Sequence, residues 1–285
     1  MLLLWLGNVI FYKGLLAGQE VSRKRKHLST EKISAKADKV STPVATLFWK
    51  EWKLFMRTPV YAMNGLAGMV MVPFLMFMPF ITRGEEMKEI LLYTRQPEYL
   101  MLTTLGGAAV ALFTSSINIV ACTSISREGR TFWISKIIPA PAKQQVTAKL
   151  LHSMAISCLG ILVTVTALGM VFKLSLLRLL VIFVLCLLGN LLLNALNLLI
   201  DLLRPKLKWN DPQEAVKQNL NGLFSILFTF AALAVFAVLT VLLVKAGISE
   251  WLIYAILGLV MGLLAIPSAA SLYAMAGAQY KKIEI

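Results

Sequence analysis

Six long apolar runs constrain this sequence more than any other feature. A membrane-spanning helix needs about 20 predominantly apolar residues, since each residue advances the helix by about 1.5 Å. The runs that approach or exceed this length are residues 62–82, 100–125, 150–172, 176–200, 220–244 and 251–276. Only 15% of the residues are charged, whereas soluble domains average about 25%. The sequence therefore predicts an all-α integral membrane protein, with a six-helix transmembrane bundle over residues 59–285.

The charges between the runs predict how the bundle is oriented. Of the 28 Lys and Arg residues, 22 lie before the first run, in connections 126–149 and 201–219, and at the C-terminus, and six lie in the alternate connections. Cytoplasmic segments of membrane proteins are enriched in Lys and Arg. We therefore expect the basic segments to be cytoplasmic. Orientation also accounts for the net charge of +14, so we expect no nucleic-acid partner.

Two segments precede the bundle. Residues 1–18 are apolar but short, and we interpret them as the end of a preceding, truncated membrane helix. Residues 19–58 are interpreted as a basic cytoplasmic linker followed by an amphipathic helix, which begins at Pro43 and ends before Pro59. Aromatic residues such as Trp49 share one face of this helix and basic residues such as Lys53 share another, so it is predicted to lie in the membrane interface.

The connection between the second and third runs is the first candidate functional segment. A helix is predicted over residues 128–138, with Glu128 near its N-terminus and Lys136 near its C-terminus, where each charge is favourable. Its apolar side comprises Trp133, Ile134, Ile137 and Ile138. Such a helix suits contact with a soluble partner protein, and it equally suits a connecting loop that lies on lipid headgroups.

The connection after the fourth run is the second candidate segment. Pro205 breaks the outgoing helix, while Asp211, Pro212 and Glu214 form an N-cap, a first turn and a capping box. The fifth helix is therefore predicted to begin before the membrane and to project from it. The segment is either a second cytoplasmic contact or only a well-capped helix start. The contact residues would be Arg204, Lys206, Trp209, Asp211 and Glu214.

Catalytic and energy-coupling motifs are absent from the sequence. It contains no G-x-x-x-x-G-K-[ST] motif, and His27 and His152 have no metal-ligand spacing, so we expect no enzyme activity, metal or cofactor. No Asp, Glu or Lys lies centrally in any run, and Arg178 stands at the outer end of one. A proton-coupled carrier normally keeps an ionisable group at membrane depth. The energy for any transport is therefore expected to come from another subunit.

Neutral polar residues are the remaining candidates inside the runs. Asn190, Asn194 and Asn197 recur at helical spacing in the fourth run, and Asn118 belongs to a polar cluster in the second. Such groups either form hydrogen bonds between helices or line a substrate path.

Two motifs carry a resemblance to a known family. The motif S-R-E-G-x-x-F-W-x-x-K-x-x-P begins at Ser126, leads into the sequence AKLL, and stands after two spans and before four. This arrangement resembles the permease subunits of ABC exporters of the type-two class. Within that class, RPKLKWNDPQEAVKQNLN, which begins at Arg204, resembles the C-terminal half of large bacterial ABC exporter permeases. The likeness covers residues 46–280.

The resemblance implies a transmembrane permease subunit of an ATP-driven exporter in the bacterial cell membrane. In this class the first cytoplasmic loop docks in a groove of a separate ATPase subunit, which binds ATP and Mg²⁺. The residues of the coupling loop would be Arg127, Glu128, Gly129, Arg130, Phe132, Trp133 and Lys136. Members of the group carry two membrane halves, so a second permease half or a homodimer is also expected. The alternative is a gradient-driven carrier or channel without an ATPase partner.

Overall fold

Ten α-helices follow one another in the part of the chain that the computed structural model describes, residues 42–117 and 119–284. They are α1 Pro43–Arg57, α2 Pro59–Thr82, α3 Gly84–Thr94, α4 Pro97–Ser116, α5 Phe132–Ile137, α6 Ala142–Phe172, α7 Leu176–Leu203, α8 Pro212–Val216, α9 Leu220–Lys245 and α10 Glu250–Lys282. Short 3₁₀ segments, Ala121–Thr123 and Ser126–Thr131, stand between α4 and α5. The interpretations of residues 1–18 and of the linker up to Ser41 lie outside the described residues.

Six helical segments of the described chain are long and apolar enough to cross a membrane. These segments contain the helices α2, α4, α6, α7, α9 and α10, one in each. The predicted all-α bundle of six membrane helices is thus confirmed. Helix α7 lies at its centre, because it packs against α4, α6, α9 and α10. This position explains why α7 buries at least two residues on each turn from Leu185 to Leu202.

Helix α1 forms as predicted but belongs with the spans. Thr42 caps it, Pro43 occupies its first turn, and Thr58 ends it before Pro59. This helix was grouped with the preceding linker when only the sequence was considered. In the structure its buried residues, among them Leu47 and Phe55, pack on α2 and α6 within one compact unit.

The chain leaves the predicted helices at two places near one end of the bundle. The second run was expected to stay helical to Ile125, but α4 ends at Ser116 and irregular turns follow. The three-turn helix predicted over residues 128–138 was also wrong. Gly129 has a φ of 50°, so the chain forms 3₁₀ turns up to Thr131 and only six α-helical residues after it.

The start of the fifth span was also predicted wrongly. Asp211 caps a helix as expected, with its side chain accepting a hydrogen bond from the Gln213 amide, but this helix, α8, ends at Val216. Asn219 then caps a new helix, α9, by accepting from the amide of Asn221. A second capping residue therefore restarts the helix, and the fifth span does not project as one continuous element.

The opposite end of the bundle is joined by an ion pair. Arg178 of α7 donates to Glu250 of α10, and it also bonds the hydroxyl of Thr104 on α4 at 3.2 Å. The two charged side chains are only 13% and 26% exposed. Arg178 was expected near the end of its run, and the structure places it there, with partners on two other helices, α4 and α10.

Glu250→Gln should lower the thermal stability of the detergent-solubilised protein, because it leaves the charge of Arg178 unpaired. The free energy of unfolding should fall by about 1–3 kcal/mol, which lies between the losses typical of breaking an exposed ion pair and a buried one. The double variant R178Q/E250Q should recover part of this loss. Glu86→Gln, whose side chain is 70% exposed, is the matched control and should change little. Equal melting temperatures for E250Q and E86Q would contradict the prediction.

Candidate functional site

A buried cluster of charges joins the first candidate segment to the bundle. Lys149 of α6 is 2% exposed, and its ammonium lies 2.7 Å from a carboxylate oxygen of Glu51 and 2.8 Å from one of Glu128. It also donates to the carbonyl of Ser124 at 3.1 Å. Because a buried charge without a partner is costly, each of these groups depends on the others. We call the end of the bundle that contains this cluster the basic end.

Glu128 accepts hydrogen bonds from three elements of the structure. In addition to Lys149, its carboxylate accepts from Lys50 of α1 at 2.9 Å and from Ser135 of α5 at 2.6 Å. Helices α1, α5 and α6 therefore meet at one side chain. Glu128 was predicted on a helix that could face a partner, but its carboxylate is buried and hydrogen-bonded within the protein.

Asp201 of α7 fixes the chain just before Glu128. Its carboxylate accepts from the backbone amides of Ile125 at 2.5 Å and Ser126 at 3.1 Å, and from the Ser126 hydroxyl. Asn221 of α9 donates to it as well, at 3.0 Å. Backbone amides that have left the helical pattern are thereby satisfied, which allows an irregular segment to be buried. Two spans, α7 and α9, thus hold this segment in place.

The two candidate segments contact each other at Gly129 and Trp209. The indole of Trp209 donates to the carbonyl of Ser126 at 2.8 Å and lies against Gly129. A Cβ atom on Gly129 would stand 2.5 Å from the indole ring. Arg130 donates to the side chain of Asn210 at 2.8 Å. The first and second candidate segments therefore form one continuous surface at the basic end.

The predicted coupling residues separate into buried and exposed groups. The buried ones hold the segment in place and are not available to a partner protein in this conformation; they are Arg127, Glu128, Gly129 and Phe132. Phe132 packs against Tyr280 of α10. The exposed ones are Arg130, Trp133 and Lys136. Lys136 donates to the carbonyl of Ile283, just after α10, so the C-terminal segment joins the same surface.

Helix α5 carries an exposed apolar surface. Trp133 is 52% exposed, Ile134 is 40% exposed and Ile137 is 68% exposed. We call these three residues the α5 surface. These residues were predicted along one side of a helix, and in the structure the described residues leave them uncovered. An apolar group of this kind at the end of a bundle marks contact with another protein or with lipid.

The residues of the second segment have mostly local partners. Asp211 caps α8, and Lys206 donates to the carbonyls of Glu214 at 3.2 Å and Gln218 at 2.9 Å. Arg204 lies over the ring of Phe224 at 5.9 Å and is exposed. The segment is thus a folded connection whose surface adjoins the first one.

The asparagines of α7 lie between helices. Asn194 donates to Ser157 of α6 at 3.3 Å, and Asn190 donates to the carbonyl of Met154 at 3.4 Å. Asn197 is 3% exposed, and its side-chain oxygen has no partner among the described residues. These contacts favour the first of the two interpretations, hydrogen bonding between helices, for Asn190 and Asn194. Asn118 lies outside the described residues.

Two of the acids that organise the basic end, Glu51 and Asp201, were not singled out from the sequence. Glu51 stands three residues after Phe48 and four before Phe55, on the apolar face of α1. Asp201 directly follows the fourth apolar run. An acid on an apolar helix face is the signal that could have identified them, because burial there requires a partner. Among residues 42–117 and 119–284, no group of three or more His, Cys, Asp and Glu residues is placed to hold a metal ion.

Comparison with known families identifies the family of this chain. A family model described as "Membrane protein of 12 TMs" matches residues 1–268. The chain belongs to this family. No curated protein and no solved structure matches it. The description of the family indicates multi-pass membrane proteins and names no activity. The described part of this member contains six candidate spans.

Lys149→Met should strongly destabilise the protein, because it leaves Glu51 and Glu128 buried without their shared cation. Removing one partner of a buried pair costs about 3–5 kcal/mol. Lys143→Met is the matched control, since Lys143 lies on the same helix and is exposed. Thermal unfolding in detergent should separate the two variants clearly, and equal melting temperatures would show that the cluster does not stabilise the fold.

Gly129→Ala should destabilise the basic end more than Gly247→Ala does. Both glycines have a positive φ, 50° and 71°, but only Gly129 has a side chain where the new methyl group would stand. We expect the free energy of unfolding to fall by about 2–4 kcal/mol for Gly129→Ala, from backbone strain plus overpacking. For Gly247→Ala it should fall by about 1 kcal/mol, from strain alone. In a W209A background the same Gly129→Ala change should cost less than in the wild type, because the indole that obstructs the new methyl group is gone. An equal cost in both backgrounds would argue against the contact with Trp209.

Proposed function

We propose that this chain is the transmembrane permease subunit of an ATP-driven exporter of the type-two ABC class, in a bacterial cell membrane. Its basic end faces the cytoplasm, in agreement with the distribution of Lys and Arg along the sequence. A separate ATPase subunit binds ATP and Mg²⁺, and hydrolysis there is coupled to movement of a substrate across the membrane. The chain itself contributes no catalytic group to the cycle.

The observation that carries this proposal is an exposed apolar surface on a firmly held segment. The α5 surface presents a Trp and two Ile side chains, which is the composition of an energetically important contact between proteins. Ser135, on the opposite side of α5, is buried and bonded to Glu128. One side of α5 is therefore available to an ATPase subunit while the other is held by the bundle.

Movement of α5 would reach the spans through direct contacts. Glu128 connects α5 to α1 and α6, and Asp201 connects the preceding residues to α7 and α9. Buried ionic and hydrogen-bonded groups resist separation, because separating them leaves unpaired charges. A partner that shifts α5 on binding ATP would therefore move these spans as a group, which is a rigid-body transition of a known kind.

A complete transporter of this kind requires a second set of spans. The family is described by twelve transmembrane segments, and the described residues of this chain contain six candidates. We propose that a second permease half, or a second copy of this chain, supplies the others. The surrounding bilayer covers the remaining apolar surface of the spans.

Replacing both Trp133 and Ile137 by Ala should abolish association with the ATPase subunit while the bundle stays folded. The measurement is affinity purification of the tagged chain from native membranes, with mass spectrometry of copurified proteins and an ATP-hydrolysis assay. Wild-type material should contain a subunit with a P-loop motif and hydrolyse ATP, and the double variant should lose both. Trp251→Ala is the matched control, since Trp251 is 49% exposed at the opposite end of the bundle.

Two results would contradict the proposal. Unchanged ATPase association in W133A/I137A would remove the α5 surface from coupling. Substrate flux in proteoliposomes that contain the purified chain alone, driven by an ion gradient without ATP, would instead identify a gradient-driven carrier.

A further inference from the structure

A cleft at the basic end has the composition of an anion-binding site. It has a volume of about 370 Å³ and lies between α1, the start of α2 and the two candidate segments. Its wall includes Tyr61, Arg127, Arg130, Trp209 and Asn210. Two guanidinium groups and two amphipathic aromatic rings thus border one cavity.

Arg127 is the under-satisfied group in the wall of this cleft. Its side chain is 3% exposed, and the Nε and Nη2 atoms have no hydrogen-bond partner among the described residues. The rings of Phe55 and Tyr61 lie 5.6 and 5.7 Å from its central carbon, which stabilises the cation through its faces. The edge donors remain without acceptors. A buried donor without an acceptor costs free energy, which an anion with two oxygens can offset.

The nearby carboxylate does not supply those acceptors. Glu128 also borders the cleft, but its oxygens accept from Lys50, Lys149 and Ser135. Glu51 and Asp201 are near enough to attract the Arg127 guanidinium electrostatically, but no carboxylate of the described residues lies in ion-pair distance of it. Arg130, bonded to the amide oxygen of Asn210, adds a second positive charge to the wall. The cleft therefore presents more positive than negative charge to a ligand.

The N-terminus of a helix adds to the positive potential in the cleft. Thr58 and Tyr61 place the N-terminus of α2, a helix of 24 residues, at the cleft. The Thr58 side chain forms no capping hydrogen bond to the helix. The first backbone amides of a helix carry partial positive charge and favour a bound anion. Arg127, Arg130 and this terminus thus act on the same volume.

The position of the cleft indicates the source of the anion. Helix α2 is the first candidate span, so its N-terminus lies at the boundary between apolar and polar environments. Tyr and Trp are enriched at this level of a membrane, and Tyr61 and Trp209 both border the cleft. We propose that the cleft binds the headgroup phosphate of an anionic phospholipid, with Arg127 and Arg130 as the phosphate-binding residues. This assignment does not depend on coupling to an ATPase.

Native mass spectrometry of the full chain in detergent tests the assignment. The probes are dioleoyl phosphatidylglycerol and dioleoylglycerol, which carry the same acyl chains with and without the phosphate. The wild type should bind the phospholipid more tightly than the diacylglycerol. Arg127→Gln should weaken phospholipid binding by at least about tenfold, and Arg130→Gln by about twofold to fivefold.

Control variants keep the test decisive. Arg83→Gln removes the same charge from the opposite end of α2, and its binding should match the wild type. Arg127→Lys keeps the buried charge but cannot donate two parallel hydrogen bonds, so it should fold and bind more weakly than the wild type. If Arg127→Gln does not give folded protein, Arg127→Lys and Arg130→Gln decide the result.

Three outcomes would overturn the proposal. Equal binding of the phospholipid and the diacylglycerol would show that only acyl chains are bound. Equal phospholipid binding by R130Q, R127K and R83Q would place the lipid elsewhere. Displacement of the phospholipid by the same concentration of glycerol phosphate would identify the site as one for a soluble phosphate, and the lipid assignment would be wrong.

Discussion

The basic end of this protein depends on Lys149, which lies between Glu51 and Glu128 in a buried position. These groups come from α6, α1 and the segment that joins α4 to α5, so one ammonium holds three parts of the chain together. The arrangement is stable only when it is complete, because removal of any partner leaves a charge in a poorly solvated environment. A segment that hydropathy alone assigns to a connecting loop is for this reason a folded part of the bundle.

This constraint decides which residues can interact with other molecules. Glu128 and Phe132 are occupied within the protein, whereas the α5 surface and the cleft beside Arg127 face outward. Buried and exposed residues therefore alternate along a few positions of one segment. The sequence motif spans both groups, and only the structure separates them.

The spans could be predicted from the sequence because their apolar length exceeds that of any alternative element. The cap at Asp211 could be predicted for a local reason, since a capping side chain contacts amides two or three residues away. The turns at Ile125 and Ser126 are held by Asp201, and Gly129, at a positive φ, lies against Trp209; both partners are far along the chain. Local patterns do not contain such long-range contacts, which is why the predicted helix at residues 128–138 was wrong and the buried cluster was missed.

Hydrogen–deuterium exchange of the segment between α4 and α5 tests most directly whether this segment is a fixed part of the bundle. The amides of Ile125 and Ser126 donate to the buried carboxylate of Asp201, so peptides that contain them should exchange slowly, at rates close to those of the adjoining span ends. Complete exchange within seconds, as in an unstructured loop, would contradict the account.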